Sequence, residues 1–369
     1  MSKTNKILMA VLVLQAVLLA ARVLWPESSE KGLAAGGALV TAFNPAAVTQ
    51  ITVEDNDGKK ILLKKVDDRW LLPDYADYPV ESARVTKLLD MVKQVRADRL
   101  ITQSETSFRR LQVSPDDFMR RLTIEQSGGE TIKLYLGKIG GGSTTHVRLD
   151  GQNQVYLASG PTAQDANAQP SSWINTLYFS ASSTDVVGLT LQNANGTFEF
   201  TKEGDAWTVS GLKESEVLNQ NNFTSMLTTL TSLRMTEPVS KEASDDFGLD
   251  APQAVITLRV MEAETPAADA SPTPDTPNLL SLMPDSTATP APTATPQKVE
   301  KEYTFQIGAA LTNGVVLKGS NSEYYVLVSR TTAERFTTKT QADFATVPPT
   351  PTPGPTDTPE PPAATPTSR

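Results

Sequence analysis

The chain of 369 residues carries a formal charge of -9 at pH 7, has no cysteine and one histidine, and is 39% hydrophobic. That length accommodates two ordinary domains with linkers. The missing cysteines exclude disulfides, thiolate chemistry and cysteine-based zinc sites, and an acidic chain without clustered Lys and Arg excludes a nucleic-acid role. Eight of the 26 prolines fall in residues 262–298 and nine in 348–366, so the low apolar fraction is a local dilution of an otherwise globular composition.

Residues 7–25 read ILMAVLVLQAVLLAARVLW, with only Gln15 and Arg22 polar. As a helix rising about 1.5 Å per residue, this run is about 28 Å long, close to the hydrocarbon thickness of a bilayer. Lys3 and Lys6 precede it and Glu27 and Glu30 come after it. The positive-inside tendency then predicts a single-pass anchor in the cell membrane, with a cytoplasmic N-terminus and an extracytoplasmic body. The alternative is a cleaved signal peptide, with small residues at Leu19-Ala20-Ala21. Either reading exports the body. Residues 26–45 then form a juxtamembrane spacer.

Beyond the spacer the same order of signals occurs twice. The first copy opens with Ile51-Thr52-Val53, a turn at Asp57-Gly58 and Ile61-Leu62-Leu63. The second opens with Leu189-Thr190-Leu191, a turn at Asn195-Gly196 and Phe198-Glu199-Phe200. Both are hairpin signals, because such turn residues tolerate positive φ. Each hairpin leads to a charged turn and a tryptophan, Trp70 and Trp207. A helix comes next in each copy. Val80, Val85, Leu88, Leu89, Val92 and Val95 mark the first, and Phe223, Met226, Leu227, Leu230 and Leu233 the second, each as one apolar stripe. A short element then carries Phe108 and Leu111 before Pro115, matched by Phe247 and Leu249 before Pro252.

Strands return in both copies. Leu122-Thr123-Ile124 answers Ile256-Thr257-Leu258, and Leu134-Tyr135-Leu136-Gly137 answers Phe305-Gln306-Ile307-Gly308. Val147-Arg148-Leu149 answers Val315-Val316-Leu317, and Val155-Tyr156-Leu157 answers Tyr325-Val326-Leu327. The expectation is an α+β fold of two tandem similar modules after the N-terminal transmembrane helix. Each module is an antiparallel sheet of order β-β-α-β-β-β-β with one main packed helix. Module 1 covers 46–160, a linker 161–184, and module 2 covers 185–343. A disordered insertion at 262–298 interrupts module 2 at a hairpin tip, and 344–369 is a Thr/Pro-rich disordered tail.

This order resembles the DUF4340 family, a domain of unknown function found in exported, membrane-anchored bacterial proteins. The resemblance covers about 46–336. It rests on the opening hairpins, Trp70 and Trp207, the helices after them, Phe-Gly-Leu-Asp at 247–250, and the strands ending in Gly137 and Gly308. The first copy departs from the pattern with Phe108-Arg109-Arg110-Leu111. The resemblance implies a companion of ABC-type export systems or gliding-type transport clusters, and it brings no catalytic residues.

The chemistry that the residues suggest is thin. The run from Gly137 to Ser143 looks like a phosphate loop, but no Lys stands between its last glycine and Ser143 and no helix pattern succeeds it, so it reads as a loose hairpin loop. His146 sits just after it at a strand start, and alone it cannot complete a metal shell. Asp116-Asp117 and Asp245-Asp246 are acidic pairs beside short turns, where carboxylates cap free N–H groups. Trp70 and Trp207 read as core anchors between hairpin and helix rather than ligand platforms. Asn195 and Asn222 begin glycan sequons, and the first is explained by its turn. An apolar island at 278–283 inside the insertion is either inert or a docking point for a protein.

No catalytic, cofactor-binding or metal-ligating set emerges. The expected protein is a non-catalytic, membrane-anchored extracytoplasmic binding or accessory module, not an enzyme, associated with ABC-type transporter subunits or an envelope assembly. The alternatives are an exported hydrolase with a carboxylate-based site and a structural envelope spacer.

Overall fold

The structure, a computed structural model, describes residues 37–263 and 298–348. The expected anchor at 7–25, most of the spacer, the interior of the insertion with its apolar island, and the tail beyond 348 lie outside the described residues. Among the described residues no helix is long and apolar enough to cross a membrane. They are mostly antiparallel sheet with few helices, an α+β architecture. They divide into two compact units, one of residues up to 72 together with 79–173, the other of 73–78 together with 174 onward.

In the first unit, β1 (Val48–Asp55), β2 (Lys60–Val66) and β3 (Arg69–Leu72) form a meander, succeeded by β4 (Tyr78–Pro79) and helix α1 (Ser82–Gln94). Then come β5 (Leu100–Thr102), the single turn α2 (Phe108–Leu111), β6 (Val113–Ser114) and β7 (Asp117–Phe118). The unit closes with β8 (Arg120–Gln126), β9 (Thr131–Gly141), β10 (Thr144–Leu149) and β11 (Val155–Ser159). The main sheet has the order β4-β3-β2-β1-β8-β9-β10-β11-β5. Residues alternate across it as period-2 strands must: Ile51, Val53, Ile61, Leu63, Leu122, Ile124, Leu134 and Leu136 are all fully buried. Helix α1 buries Val85, Leu88, Leu89 and Val92, one stripe at helical spacing.

The second unit holds β12 (Leu177–Ser180), β13 (Val186–Asn193), β14 (Gly196–Glu203), β15 (Ala206–Val209), β16 (Val217–Leu218) and helix α3 (Gln220–Thr231). It continues through β17 (Ser232–Arg234), β18 (Glu237–Ser240), β19 (Ala254–Ala263), β20 (Lys298–Leu311), β21 (Gly314–Gly319) and β22 (Tyr325–Val328). Helices α4 (Arg330–Thr337) and α5 (Gln341–Phe344) and strand β23 (Ala345–Thr346) end it. The main sheet runs β15-β14-β13-β19-β20-β21-β22-β18. Aromatic rings knit helix to sheet: Phe223 of α3 stacks on Phe200 at 4.8 Å and meets Trp207 at 4.7 Å, while Phe344 of α5 meets Phe198 and Phe200 at 5.4 and 4.9 Å. Ala263 pairs with Lys298, so the insertion leaves and re-enters at a hairpin tip.

Several expected boundaries move. The order β-β-α-β-β-β-β is short of strands, because a third strand, β3 or β15, carries each tryptophan. Asp67 and Asp68 both take positive φ, 46° and 63°, which makes a two-residue turn and leaves only four residues of strand, too few for periodicity to register. Further strands, β5 and β18, come after the helices and occupy the far edges. Val80, Val95 and Leu233 lie just outside their helices, Leu233 on β17. The turn expected at Asn195-Gly196 sits one residue earlier, since Asn193 pairs with Gly196. The glycine run is mostly strand: β9 extends to Gly141, and the turn before β10 is only Gly142 and Ser143. The stretch 161–184 is folded, with Trp173 buried and donating from Nε1 to the Asn167 carbonyl at 2.8 Å, and with β12 paired to β17. Helices α4 and α5 lie beyond the expected element order, although Ser329 caps the first and Thr340 with Asp343 forms a capping box on the second.

Gly137 and Gly308 have a steric reason. A Cβ at Gly137 would strike the Leu111 carbonyl oxygen and stand 2.7 Å from Val113 Cγ1. One at Gly308 would strike the Phe247 carbonyl oxygen and stand 2.9 Å from Leu249 Cδ2. The chain that presses on each glycine turns through a left-handed residue, Gln112 (φ 55°) or Gly248 (φ 62°). A left-handed glutamine is strained where glycine is not. Gln112→Gly is therefore expected to raise stability by about 1 kcal/mol, and Gly137→Ala to lower it by about 2–3 kcal/mol through overpacking against backbone. Thermal and denaturant melts of the two variants check both.

Candidate functional site

A cleft of about 710 Å³ in the first unit lies between α2 with its preceding turn, the β6–β7 turn, and the β10–β11 turn. Its polar walls include Glu105, Arg109, Ser114, Arg148, Asp150 and Asn153. Arg148 is the notable side chain. Strand β10 places it opposite Tyr135 of β9, on the face opposite that of the buried Val147, where the cluster of Phe108, Leu111, Val113 and Phe118 covers the sheet, and it is only 3% exposed. Its Nε donates to the Val113 carbonyl at 2.7 Å, and Nη1 to those of Leu149 at 3.3 Å and Gln152 at 3.0 Å. The guanidinium carbon lies over the Phe108 and Tyr135 rings at 4.6 and 4.4 Å. Nη2 is buried without a hydrogen-bond partner. Burial pushes the Arg148 guanidinium below its ordinary value, against the opposing pull of Tyr135 and Asp150.

The carboxylates here are engaged. Asp116 accepts from Ser114 and pairs with Arg109, and the Ser114 hydroxyl leads in holding its carboxyl below the ordinary range. Asp150 accepts from the Tyr135 hydroxyl at 3.0 Å and pairs with Lys133 at 3.3 Å. Burial opposes the Asp150 charge, but these bonds outweigh it and hold the carboxyl below 3.8. In the second unit Lys318 of β21 stands opposite Gln306 of β20. Its Nζ donates to the Gly319 carbonyl at 3.4 Å and to that of Ser322, and lies 5.2 Å from the Tyr325 ring. Arg148 and Lys318 thus both reach the carbonyls one and four residues ahead, closing the turn at the end of their strands.

The residues singled out from sequence do not converge. His146 lies on β10 with Nδ1 2.7 Å from the Lys138 carbonyl oxygen, a link between neighbouring strands. Asp245 and Asp246 are exposed in the first turn of the 3-10 segment Asp245–Phe247, with no side-chain cap bond there. Asp116 closes the β6–β7 turn rather than capping a helix. The Asn195 amide nitrogen donates to the Thr338 and Lys339 carbonyls, and that of Asn222 to Asp343 at 2.7 Å, so both sequon nitrogens are taken up in the fold. Among the described residues no group of three or more His, Cys, Asp or Glu is placed to hold a metal ion. Sequence reasoning misses Arg148, because an arginine between Val147 and Leu149 reads by alternation as an outward residue.

An α+β protein of two sheet-based units, with one basic side chain closing a strand-end turn in each, is the class that these features define. Residues 70–252 match the family model described as Domain of unknown function (DUF4340), and through them the chain belongs to that family. The match starts at Trp70 of β3 and ends at Pro252, just after the Phe-Gly-Leu-Asp segment, so it is narrower than the resemblance over about 46–336. Comparisons with curated proteins and with solved structures return no match.

The two tryptophans are not equal. Trp70 is 7% exposed, whereas Trp207 is half-buried against Phe223, so the second is a weaker anchor than its sequence position suggests. Trp70→Ala should lower stability by about 3–5 kcal/mol and Trp207→Ala by about half as much, read as paired melting curves. A depressed carboxyl such as Asp150 stabilises the fold above its ordinary value of 3.8, and that contribution is lost as pH falls through the lowered folded value. Asp150→Asn is therefore expected to melt below the parent at neutral pH, with the gap closing as the buffer is taken down through the carboxylate range.

Proposed function

We propose that this protein is a membrane-anchored, extracytoplasmic, non-catalytic binding or accessory module, built from two tandem copies of one α+β domain and serving an ABC-type transport or envelope assembly. The observation that carries the duplication is the agreement of ladder registers. Ile51 faces Leu63 and Ile124, and Leu189 faces Phe200 and Leu258. Trp70 faces Lys65, and Trp207 faces Lys202. The first long-range ladder slips between Val48 and Gln50, and its counterpart between Val186 and Gly188. A further slip falls between the pairs Thr145–Ile139 and Val147–Leu136, and again between Val315–Ala310 and Leu317–Ile307. Shared bulges are hard to reach independently, because each is a local departure from the ladder.

The tether is supported by the apolar run at 7–25 with its flanking charges, and the transport association is what the resemblance to the family implies. Binding is favoured over hydrolysis by the state of the carboxylates. Asp116 and Asp150 are each engaged by a basic side chain and a hydroxyl, whereas acid–base hydrolysis requires a pair free to exchange protons with substrate. Protease added to intact spheroplasts should degrade the body of the protein, and survival of the body would contradict the exported location. Gentle detergent extraction should recover an ABC-type ATPase and permease with the chain. Turnover of an envelope polymer by the purified protein would overturn the non-catalytic reading.

A further inference from the structure

Arg148 holds a donor that its structural role does not use. Closing the β10–β11 turn takes Nη1, and holding Val113 takes Nε. In the second unit Lys318 makes the equivalent turn contacts with a single ammonium. The guanidinium therefore does what the lysine does, adds the bond from Nε to Val113, and still leaves Nη2 buried and unpartnered beside a cleft of about 710 Å³. An unpartnered donor on a buried cation is costly to leave unmade. No ion pair to Arg148 occurs among the described residues, and the neighbouring acids Asp116 and Asp150 are spent on Arg109, Ser114, Lys133 and Tyr135.

We propose that this cleft binds the anionic head, a carboxylate or a phosphate, of a small molecule, with Arg148 Nη2 as the inner donor and Arg109 as the outer cation. The proposal rests on the binding-module reading and names its ligand class. Charge-assisted bonds to guanidinium are the strong kind, and a water-excluded site strengthens them further. The rim consists of the turns at 105–107 and 150–153, exposed at Glu105, Thr106, Asp150 and Gly151, rather than of sheet, so admitting the anion requires movement of turns and not loss of the ladders. Glu105, exposed on the rim, is the one lining acid for which no ion pair or side-chain hydrogen bond is found, and it opposes an entering anion.

The test is isothermal titration of the full chain in detergent with inorganic phosphate and, separately, with citrate, against sodium chloride of equal ionic strength. Saturable binding of phosphate alone assigns a phosphate head, and of citrate alone a carboxylate head. Arg148→Lys is expected to bind about tenfold more weakly and to stay folded without ligand at a lowered melting temperature, because Lys318 shows that an ammonium reaches the two turn carbonyls while the bond to Val113 is lost. Glu105→Gln, at an exposed position, is expected to bind more tightly than the parent. The proposal is overturned if neither anion gives saturable heat beyond the chloride control, or if Arg148→Lys binds as tightly as the parent. Should Arg148→Lys fail to fold, unchanged affinity in Glu105→Gln overturns it instead. Any of these results leaves partner recovery from detergent untouched, so failure here is separable from failure of the module reading.

Discussion

In each unit the opening strand is hydrogen-bonded on both flanks, and one of those flanks comes from far along the chain. Strand β1 pairs locally with β2 and, across a helix and a cluster of turns, with β8, where Ile51 meets Ile124. Strand β13 does the same with β14 and β19, where Leu189 meets Leu258. Closing that span orders some seventy residues before the pairing returns anything, so the hairpin and helix must be worth forming locally first. Once it is closed, β9, β10 and β11 add outward by short hairpins, and the only place left for β5 is the far edge beyond β11.

With β5 at the far edge, the chain must return to the middle of the sheet to begin β8. It does so through α2 and the β6–β7 turn, lying against β9. The return path comes so close that Gly137 touches backbone, and the same holds where the 3-10 turn before Leu249 passes Gly308. The Phe-Gly-Leu segment thereby acquires a physical meaning. Its glycine turns left-handed so that the preceding carbonyl can lie on a strand that has no side chain to receive it. In the first unit the positions in these roles are Leu111-Gln112-Val113, and Phe108 sits a turn earlier, in the cluster with Tyr135 and Val155. Aligning Phe108 with Phe247 by residue type therefore picks the wrong partner.

The buried arginine belongs to the same region. A β-turn beside a packed edge leaves carbonyls facing inward, and a basic side chain from the preceding strand can satisfy them without another element. Lysine does this in one unit and arginine in the other, with aromatic faces beneath both charges. The broader guanidinium bridges the turn and the α2 return path at once, which is why the first unit's cleft has a cationic floor.

Hairpins, helix stripes and the apolar cores of the longer strands are readable from the chain alone, because they depend on periods of 2 and 3.6 that repeat over enough residues to be seen. The insertion is legible as an interruption because a composition break needs no geometry. Strands of two to four residues such as β3, β5 and β18 are not legible, since their existence rests on partners and not on their own pattern. Register is not legible either. Val147-Arg148-Leu149 matches Leu317-Lys318-Gly319 in the ladders and not Val315-Val316-Leu317, and a slip of two residues leaves every side chain on its original face, so alternation cannot detect it. Alternation along the chain sorts residues between the two faces of each sheet. Which of those residues meet is settled only on folding, because contact between Arg148, Phe108 and Tyr135 depends on a backbone path whose length and bulges no local pattern encodes.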